Sequence, residues 1–84
     1  MKRIVEVQIR EDQVNPIAAT FINTANKYSS YIQIAQNGNR VNAKSLLGFL
    51  SLGLRKGVHV ELNAEGADAE ESLEALAALL EQRG

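Results

Sequence analysis

Few side chains in this 84-residue sequence are of a type that could carry out covalent chemistry or bind a metal. There is one histidine, His59, and no cysteine. Cysteine thiolates are absent, and the single histidine and the acidic residues are not spaced as metal ligands are. The sequence therefore predicts no metal site. It also shows no glycine-rich phosphate loop and no serine–histidine–acid set. A conventional enzyme is therefore not supported, and no cofactor is expected.

Ser45 is the hydroxyl residue with the most suggestive setting. It follows Lys44 and directly precedes a run of apolar residues, so the pattern predicts a helix from Leu46 to about residue 52 with Ser45 as its N-cap. A phosphate on Ser45 would meet free backbone N–H groups and the positive end of the helix dipole. The local pattern alone leaves open whether Ser45 is modified or only caps the helix.

The same short helix carries more large apolar side chains than so small an element is expected to bury. An amphipathic helix in a small domain turns only one stripe of side chains toward the core. Part of this apolar set is therefore expected to face a partner protein. The apolar residues concerned are Leu46, Leu47, Phe49 and Leu50.

His59 is predicted to lie in the middle of a strand. Apolar and polar residues alternate from Val58 to Leu62, which is typical of a half-buried strand. The alternation places His59 on the solvent-facing side, away from any predicted helix N-terminus. A relocated phosphate acceptor is one interpretation of this residue, and an exposed strand residue is the favoured one.

The elements that must position these residues follow from the apolar periodicity. Their order, β-α-β-β-α-β-α, predicts an α+β fold in which one sheet is covered by helices on a single face and is solvated on the other. The predicted strands cover about 2–9, 31–36, 39–42 and 58–64, and the predicted helices about 16–27, 46–52 and 69–82.

Three local signals mark the ends of these elements. Asn15 could cap the first helix, with Pro16 at its first position, where a missing N–H costs nothing. The Asn37-Gly38 pair predicts a type I′ hairpin turn between the second and third strands. Asp68 resembles the first residue of a capping box at the start of the last helix.

Composition and charge restrict the class of protein. Apolar residues make up 45% and charged residues 23%, as in an ordinary globular protein, and the length predicts a single domain over residues 1–84. No run of about 18 apolar residues occurs, so no membrane span is expected. The basic residues are scattered rather than gathered in a stripe, which argues against direct nucleic-acid binding. The absence of cysteine favours a cytoplasmic location.

The segment 37–53, and above all Asn42-Ala43-Lys44-Ser45, resembles the regulatory-serine segment of HPr, the histidine-containing phosphocarrier protein of the bacterial sugar phosphotransferase system. The resemblance implies an HPr-like open-faced β-sandwich with an antiparallel sheet of order 1-4-2-3 and three helices on one side. It extends over nearly the whole chain without gaps, including residues 25–28, 56–57 and 64–68.

The sequence departs from that family at the phosphate-accepting site, which reads glycine-x-histidine-alanine-arginine-proline in HPr. In an ungapped alignment the histidine position is Val14 and the arginine position is Pro16. Aligning Pro16 with the family proline instead puts Gln13 at the histidine position. Neither Val14 nor Gln13 has an imidazole nitrogen that could attack a phosphoryl group.

Loss of the histidine together with retention of the serine resembles the regulatory paralogues of this family called catabolite repression HPr, or Crh. The resemblance implies that HPr kinase/phosphorylase phosphorylates Ser45 and that the modified protein is a corepressor for a LacI-type catabolite control regulator. Two alternatives stay open: a phosphocarrier in the transfer relay, and a binding module that is never phosphorylated. The expected partner-binding residues are Lys44, Leu46, Leu47, Phe49 and Leu50.

Overall fold

The computed structural model describes residues 1–82. It contains one four-stranded antiparallel sheet of order β1-β4-β2-β3 and three α-helices. The strands are β1 (Lys2–Glu6), β2 (Tyr31–Gln36), β3 (Asn39–Asn42) and β4 (His59–Glu65), and the helices are α1 (Val14–Ala25), α2 (Leu46–Ser51) and α3 (Ala69–Leu80).

The sheet buries one face only, as the alternation of the sequence predicts. Val5 pairs with Val60 across β1 and β4, Ile34 pairs with Leu62 across β2 and β4, and all four side chains are buried. The residues between them, such as Glu61, lie on the opposite face toward solvent. Because strand side chains alternate between faces, this register puts the apolar set of every central strand beneath the helices.

The helices supply the other half of the core. α1 buries Phe21 and Ala25, and α3 buries Leu73, Leu76 and Leu80. Each of these two helices is twelve residues long, and within residues 1–82 no helix is long and apolar enough to cross a membrane. The predicted α+β fold, with the order 1-4-2-3 that the family resemblance implied, is confirmed.

The hairpin between β2 and β3 has the geometry that its sequence predicts. Asn37 and Gly38 both have positive φ angles, of 50° and 83°. Two consecutive left-handed residues form the type I′ turn, whose twist matches that of the flanking strands. The turn holds β3 beside β2 and so fixes the starting point of the segment that leads to Ser45.

The start of α1 differs from the prediction. The helix begins at Val14, directly after a single 3-10 turn over Glu11–Gln13, so Asn15 lies inside the first turn and does not cap it. Pro16 is tolerated there because the first four N–H groups of a helix have no intrahelical acceptor. The pairing of Asn15 with Pro16 suggested a cap, whereas the chain enters the helix from the 3-10 turn, in which the N–H of Val14 donates to the carbonyl of Glu11.

Asp68 stands at the N-cap position of α3 but makes no capping hydrogen bond, so the capping-box prediction is wrong. Its carboxylate instead accepts hydrogen bonds from the backbone N–H groups of Ser29 and Ser30, at 2.9 and 3.0 Å, and from both serine hydroxyls. The Ser30 hydroxyl, followed by the Ser29 N–H, lowers the pKa of Asp68 from 3.8 to about 2. Asp68 therefore joins the start of β2 to the start of α3.

Candidate functional site

The segment between β3 and α2 is held against the sheet by its backbone. The N–H of Ala43 donates to the carbonyl of Ile32 at 3.0 Å, and Ala43 is fully buried. Asn42 then forms a turn: its side-chain Oδ1 accepts from the N–H of Lys44 at 2.8 Å, and its carbonyl accepts from the N–H of Ser45 at 3.0 Å. This arrangement leaves Ser45 in an extended conformation, with φ −103° and ψ 119°.

Ser45 caps α2, as the sequence predicts. Its Oγ accepts a hydrogen bond from the N–H of Gly48 at 3.1 Å, and its carbonyl accepts from the N–H of Phe49 at 2.9 Å. An N-cap of this kind contributes ~1 kcal/mol to helix stability. The residue is half-buried, and the orientation of its hydroxyl is fixed by the helix that it caps.

Gly48 allows α2 to lie close to β3 and to the Ser45 hydroxyl. A Cβ atom at this position would lie 3.1 Å from the Cβ of Val41 and 3.4 Å from the Oγ of Ser45. The first distance is tighter than an ordinary carbon–carbon contact of about 3.5–4.0 Å. Glycine therefore leaves the space that the cap and the helix–strand contact both require.

Lys44 makes a contact inside the molecule. Its Nζ donates to the carbonyl oxygen of Tyr28 at 2.7 Å, in a half-buried position just beyond the C-terminal end of α1. A cation is favourable there because helix C-termini carry partial negative charge and unpaired carbonyl groups. The sequence pattern suggested a residue that faces a partner, whereas the structure uses this ammonium to join the segment before Ser45 to α1.

The apolar residues of α2 divide into an inner and an outer set. Leu46, Leu47 and Leu50 are 45%, 82% and 39% exposed, whereas Phe49 is 1% exposed. The expectation that Phe49 binds a partner is therefore corrected: its ring packs on Phe21 with 4.6 Å between centroids. Leu50 lies three positions after Leu47 and four after Leu46, so it neighbours both of them on the helix surface and the three form one patch.

The N-terminal end of α1, where the family carries its histidine, has no imidazole that could accept a phosphoryl group. Val14 is the first residue of the helix, and Gln13 ends the preceding 3-10 turn. That turn also places the carboxylates of Glu11 and Asp12 at the end of the helix, with Arg10 Nε 3.4 Å from Asp12 Oδ1. Arg10, Glu11 and Asp12 together carry a net charge of −1, which opposes the binding of a phosphate at this end of the helix.

His59 lies at the solvent-facing surface of the sheet, on the side opposite the helices. The residue is exposed at the start of β4 and lies opposite Glu6 of β1. Its Nε2 is 4.0 Å from Glu6 Oε1. The favoured interpretation of His59 as an exposed strand residue is confirmed in its placement. Within residues 1–82 no group of three or more His, Asp or Glu side chains is arranged to hold a metal ion.

A family model described as the PTS HPr component phosphorylation site matches residues 1–82. The chain belongs to the HPr family. Members of this family are phosphocarrier or regulatory proteins, and they interact with kinases and with partners of the phosphotransferase system.

Individual HPr-family proteins resemble the chain over almost its full length. The HPr-like protein Crh of Halalkalibacterium halodurans is 38% identical over 82 residues, which are 98% of each chain. The crystal structure of phosphocarrier protein HPr from Bacillus anthracis has a TM-score of 0.91 and 39% identity, and the match covers 95% of both chains. The solution structure of Crh from Bacillus subtilis has a TM-score of 0.74 and 36% identity, with 100% of both chains covered.

Proposed function

We propose that this protein is a cytoplasmic regulator of carbon catabolism that acts when it is phosphorylated on Ser45. The observation that carries the proposal is the contrast between two positions of one HPr fold. Val14, or Gln13 in the alternative alignment, stands where the family has its phosphoacceptor histidine, while Ser45 is present as the half-buried cap of α2. Similarity to two proteins named HPr-like protein Crh, each 38% identical, supports a regulatory role within the family. In this proposal the protein is a substrate and a ligand and has no catalytic activity of its own.

The modification would be a phosphoryl transfer from ATP by HPr kinase/phosphorylase. The Oγ–P bond of Ser45 forms as the bond between the γ-phosphorus and its bridging oxygen breaks, the serine proton passes to a base on the kinase, and ADP leaves. The product carries about −1.5 to −2 charge at pH 7. Beside the first turn of α2 this charge is favourable, so the fold is expected to persist.

The phosphate and the neighbouring leucines would be recognised together. Leu46, Leu47 and Leu50 form an apolar patch next to Ser45, and the partner's basic residues would bind the phosphate through charge-assisted hydrogen bonds. The family resemblance points to a LacI-type catabolite control regulator as this partner. Lys44 and Phe49 are left out of the proposed contact surface, because the first is bonded to Tyr28 and the second is buried.

Phosphorylation can be tested directly with HPr kinase/phosphorylase, ATP and mass spectrometry. We expect one phosphate on Ser45, no phosphate on Ser45→Ala, and normal modification of Ser51→Ala. Ser51 is the matched control because it is exposed and lies on the same helix. If the protein stays unmodified under conditions that fully label an authentic HPr, the better function is a binding module that uses the leucine patch without phosphate.

A further inference from the structure

We propose that Asn42 is a positioning residue for the phosphorylation of Ser45. This inference rests on the proposed function, since it concerns how the same serine is presented to a kinase. The residue lies three positions before Ser45, at the end of β3, and would not itself touch the transferred phosphate. It acts through the turn that sets the backbone of Ser45.

The side chain and the carbonyl of Asn42 hold two successive residues. Oδ1 accepts the N–H of Lys44 at 2.8 Å, and the carbonyl oxygen accepts the N–H of Ser45 at 3.0 Å. An asparagine side chain that bonds the backbone two residues further on forms an Asx turn. This turn ends the strand and brings Ser45 to the extended conformation that an N-cap residue requires.

Lys44 ties the segment 42–44 to the residues that follow α1. While its N–H is held by Asn42, its ammonium donates to the carbonyl of Tyr28, sixteen residues earlier in the chain. Ala43, between the two, is buried and bonded to β2. Three consecutive residues are therefore tied to the rest of the molecule by side-chain or backbone hydrogen bonds directly before Ser45.

Such a segment would present the serine hydroxyl in one geometry before the kinase binds. A nucleophile that is already oriented loses less conformational entropy on reaching the reactive complex. If the turn is removed, the kinase must order the segment itself. The net strength of one hydrogen bond corresponds to a change of roughly two- to tenfold in the population of the ordered segment. We expect the phosphorylation rate of the variant that lacks the turn to fall by about the same factor.

The first test measures how stable the turn at Asn42 is, and it needs no kinase. Amide hydrogen exchange is followed by NMR in the wild type, Asn42→Ala, and Asn42→Asp, which keeps the acceptor oxygen. We expect faster exchange at Lys44 and Gly48 in Asn42→Ala and nearly unchanged exchange in Asn42→Asp. The control is Asn39→Ala, an exposed position in the same strand. Unchanged exchange at Lys44 and Gly48 in Asn42→Ala would overturn the inference, whether or not Ser45 is a kinase substrate.

The second test measures the consequence with HPr kinase/phosphorylase and ATP. For Asn42→Ala we expect kcat to fall about two- to tenfold, with a smaller change in KM, because the substrate still docks but its hydroxyl is less often aligned. Asn42→Ser, which forms the weaker turn of a hydroxyl residue, should lie between the alanine variant and the wild type. A change in KM alone would identify Asn42 as a kinase contact and contradict positioning. Absence of phosphate on the wild type would count against the proposed function, and the exchange result would then still decide the role of Asn42.

Discussion

The ring centroids of Phe21 and Phe49 lie 4.6 Å apart, with 37° between the ring planes, and both side chains are buried. This pair sets the rotation of α2, because turning position 49 inward directs position 47, about 200° away around the helix, outward. Leu46 and Leu50 lie on the two flanks between them and are 45% and 39% exposed. The leucine patch is thus exposed as a consequence of packing between α1 and α2.

The first prediction concerns this pair. Phe49→Ala should lower the free energy of unfolding by about 3–5 kcal/mol, since it removes a buried aromatic ring and leaves a cavity. Leu47→Ala should change it by less than about 0.5 kcal/mol, because Leu47 is 82% exposed. Urea denaturation followed by circular dichroism measures both values. Equal effects of the two substitutions would mean that α2 is not rotated as the structure shows.

The second prediction concerns the leucine patch. Leu47→Glu should leave folding intact and weaken binding of the Ser45-phosphorylated protein to a LacI-type regulator. Loss of a buried leucine from an interface costs about 1.5–3 kcal/mol, roughly 10- to 150-fold in Kd. Isothermal titration calorimetry provides the measurement, and Ile4→Glu is the control, because Ile4 is 61% exposed on the opposite side of the molecule. An unchanged Kd for Leu47→Glu would remove this surface from the interface.

The third prediction concerns pH and Asp68. Because the hydrogen bonds from Ser29 and Ser30 lower its pKa from 3.8 to about 2 in the folded state, the carboxylate stabilises the fold above pH 3.8 and loses this contribution as the pH falls toward 2. The unfolding free energy should therefore drop over that range in the wild type and drop less steeply in Asp68→Asn. Denaturation at stepped pH values compares them, with exposed Glu70→Gln as the control. Identical slopes for the wild type and Asp68→Asn would contradict this role.

The fourth prediction separates this protein from a phosphocarrier, the alternative that its similarity to HPr of Bacillus anthracis raises. Incubation with the first enzyme of the phosphotransferase system and labelled phosphoenolpyruvate should give no acid-labile label. Val14→His alone should recover little transfer, because Pro16 replaces the family arginine and the 3-10 turn places Glu11 and Asp12 at the helix end. Stoichiometric labelling of the wild type at any residue would refute the regulatory function.

Periodicity and local turn signals were sufficient to predict the four strands, the three helices and the hairpin, because each depends on residues within a few positions of one another. The strand order 1-4-2-3 pairs residues as distant as Lys2 and Asn63, and only the family resemblance implied it. The division of the α2 side chains was not predictable in this way. Four apolar residues in a six-residue helix do not define a face, and the choice of Phe49 depends on Phe21 in another helix.

Contacts between side chains and partners distant in sequence were not predictable for a related reason. Asp68 has the residue type and position of a cap, yet Ser30 lies 38 residues away and competes successfully for its carboxylate. Lys44 has the appearance of a surface residue, and its acceptor on Tyr28 is sixteen residues away. Both contacts required the folded chain, whereas the cap formed by Ser45 is local and was correctly predicted.

The most direct test of the regulatory function compares two forms of the same protein. The Kd for a LacI-type catabolite control regulator is measured by titration calorimetry for the unmodified protein and for the protein phosphorylated on Ser45. The account predicts a markedly lower Kd for the phosphorylated form, with Ser45→Ala treated with kinase and ATP binding as weakly as the unmodified protein. Equal affinities of the phosphorylated and unmodified forms would contradict it.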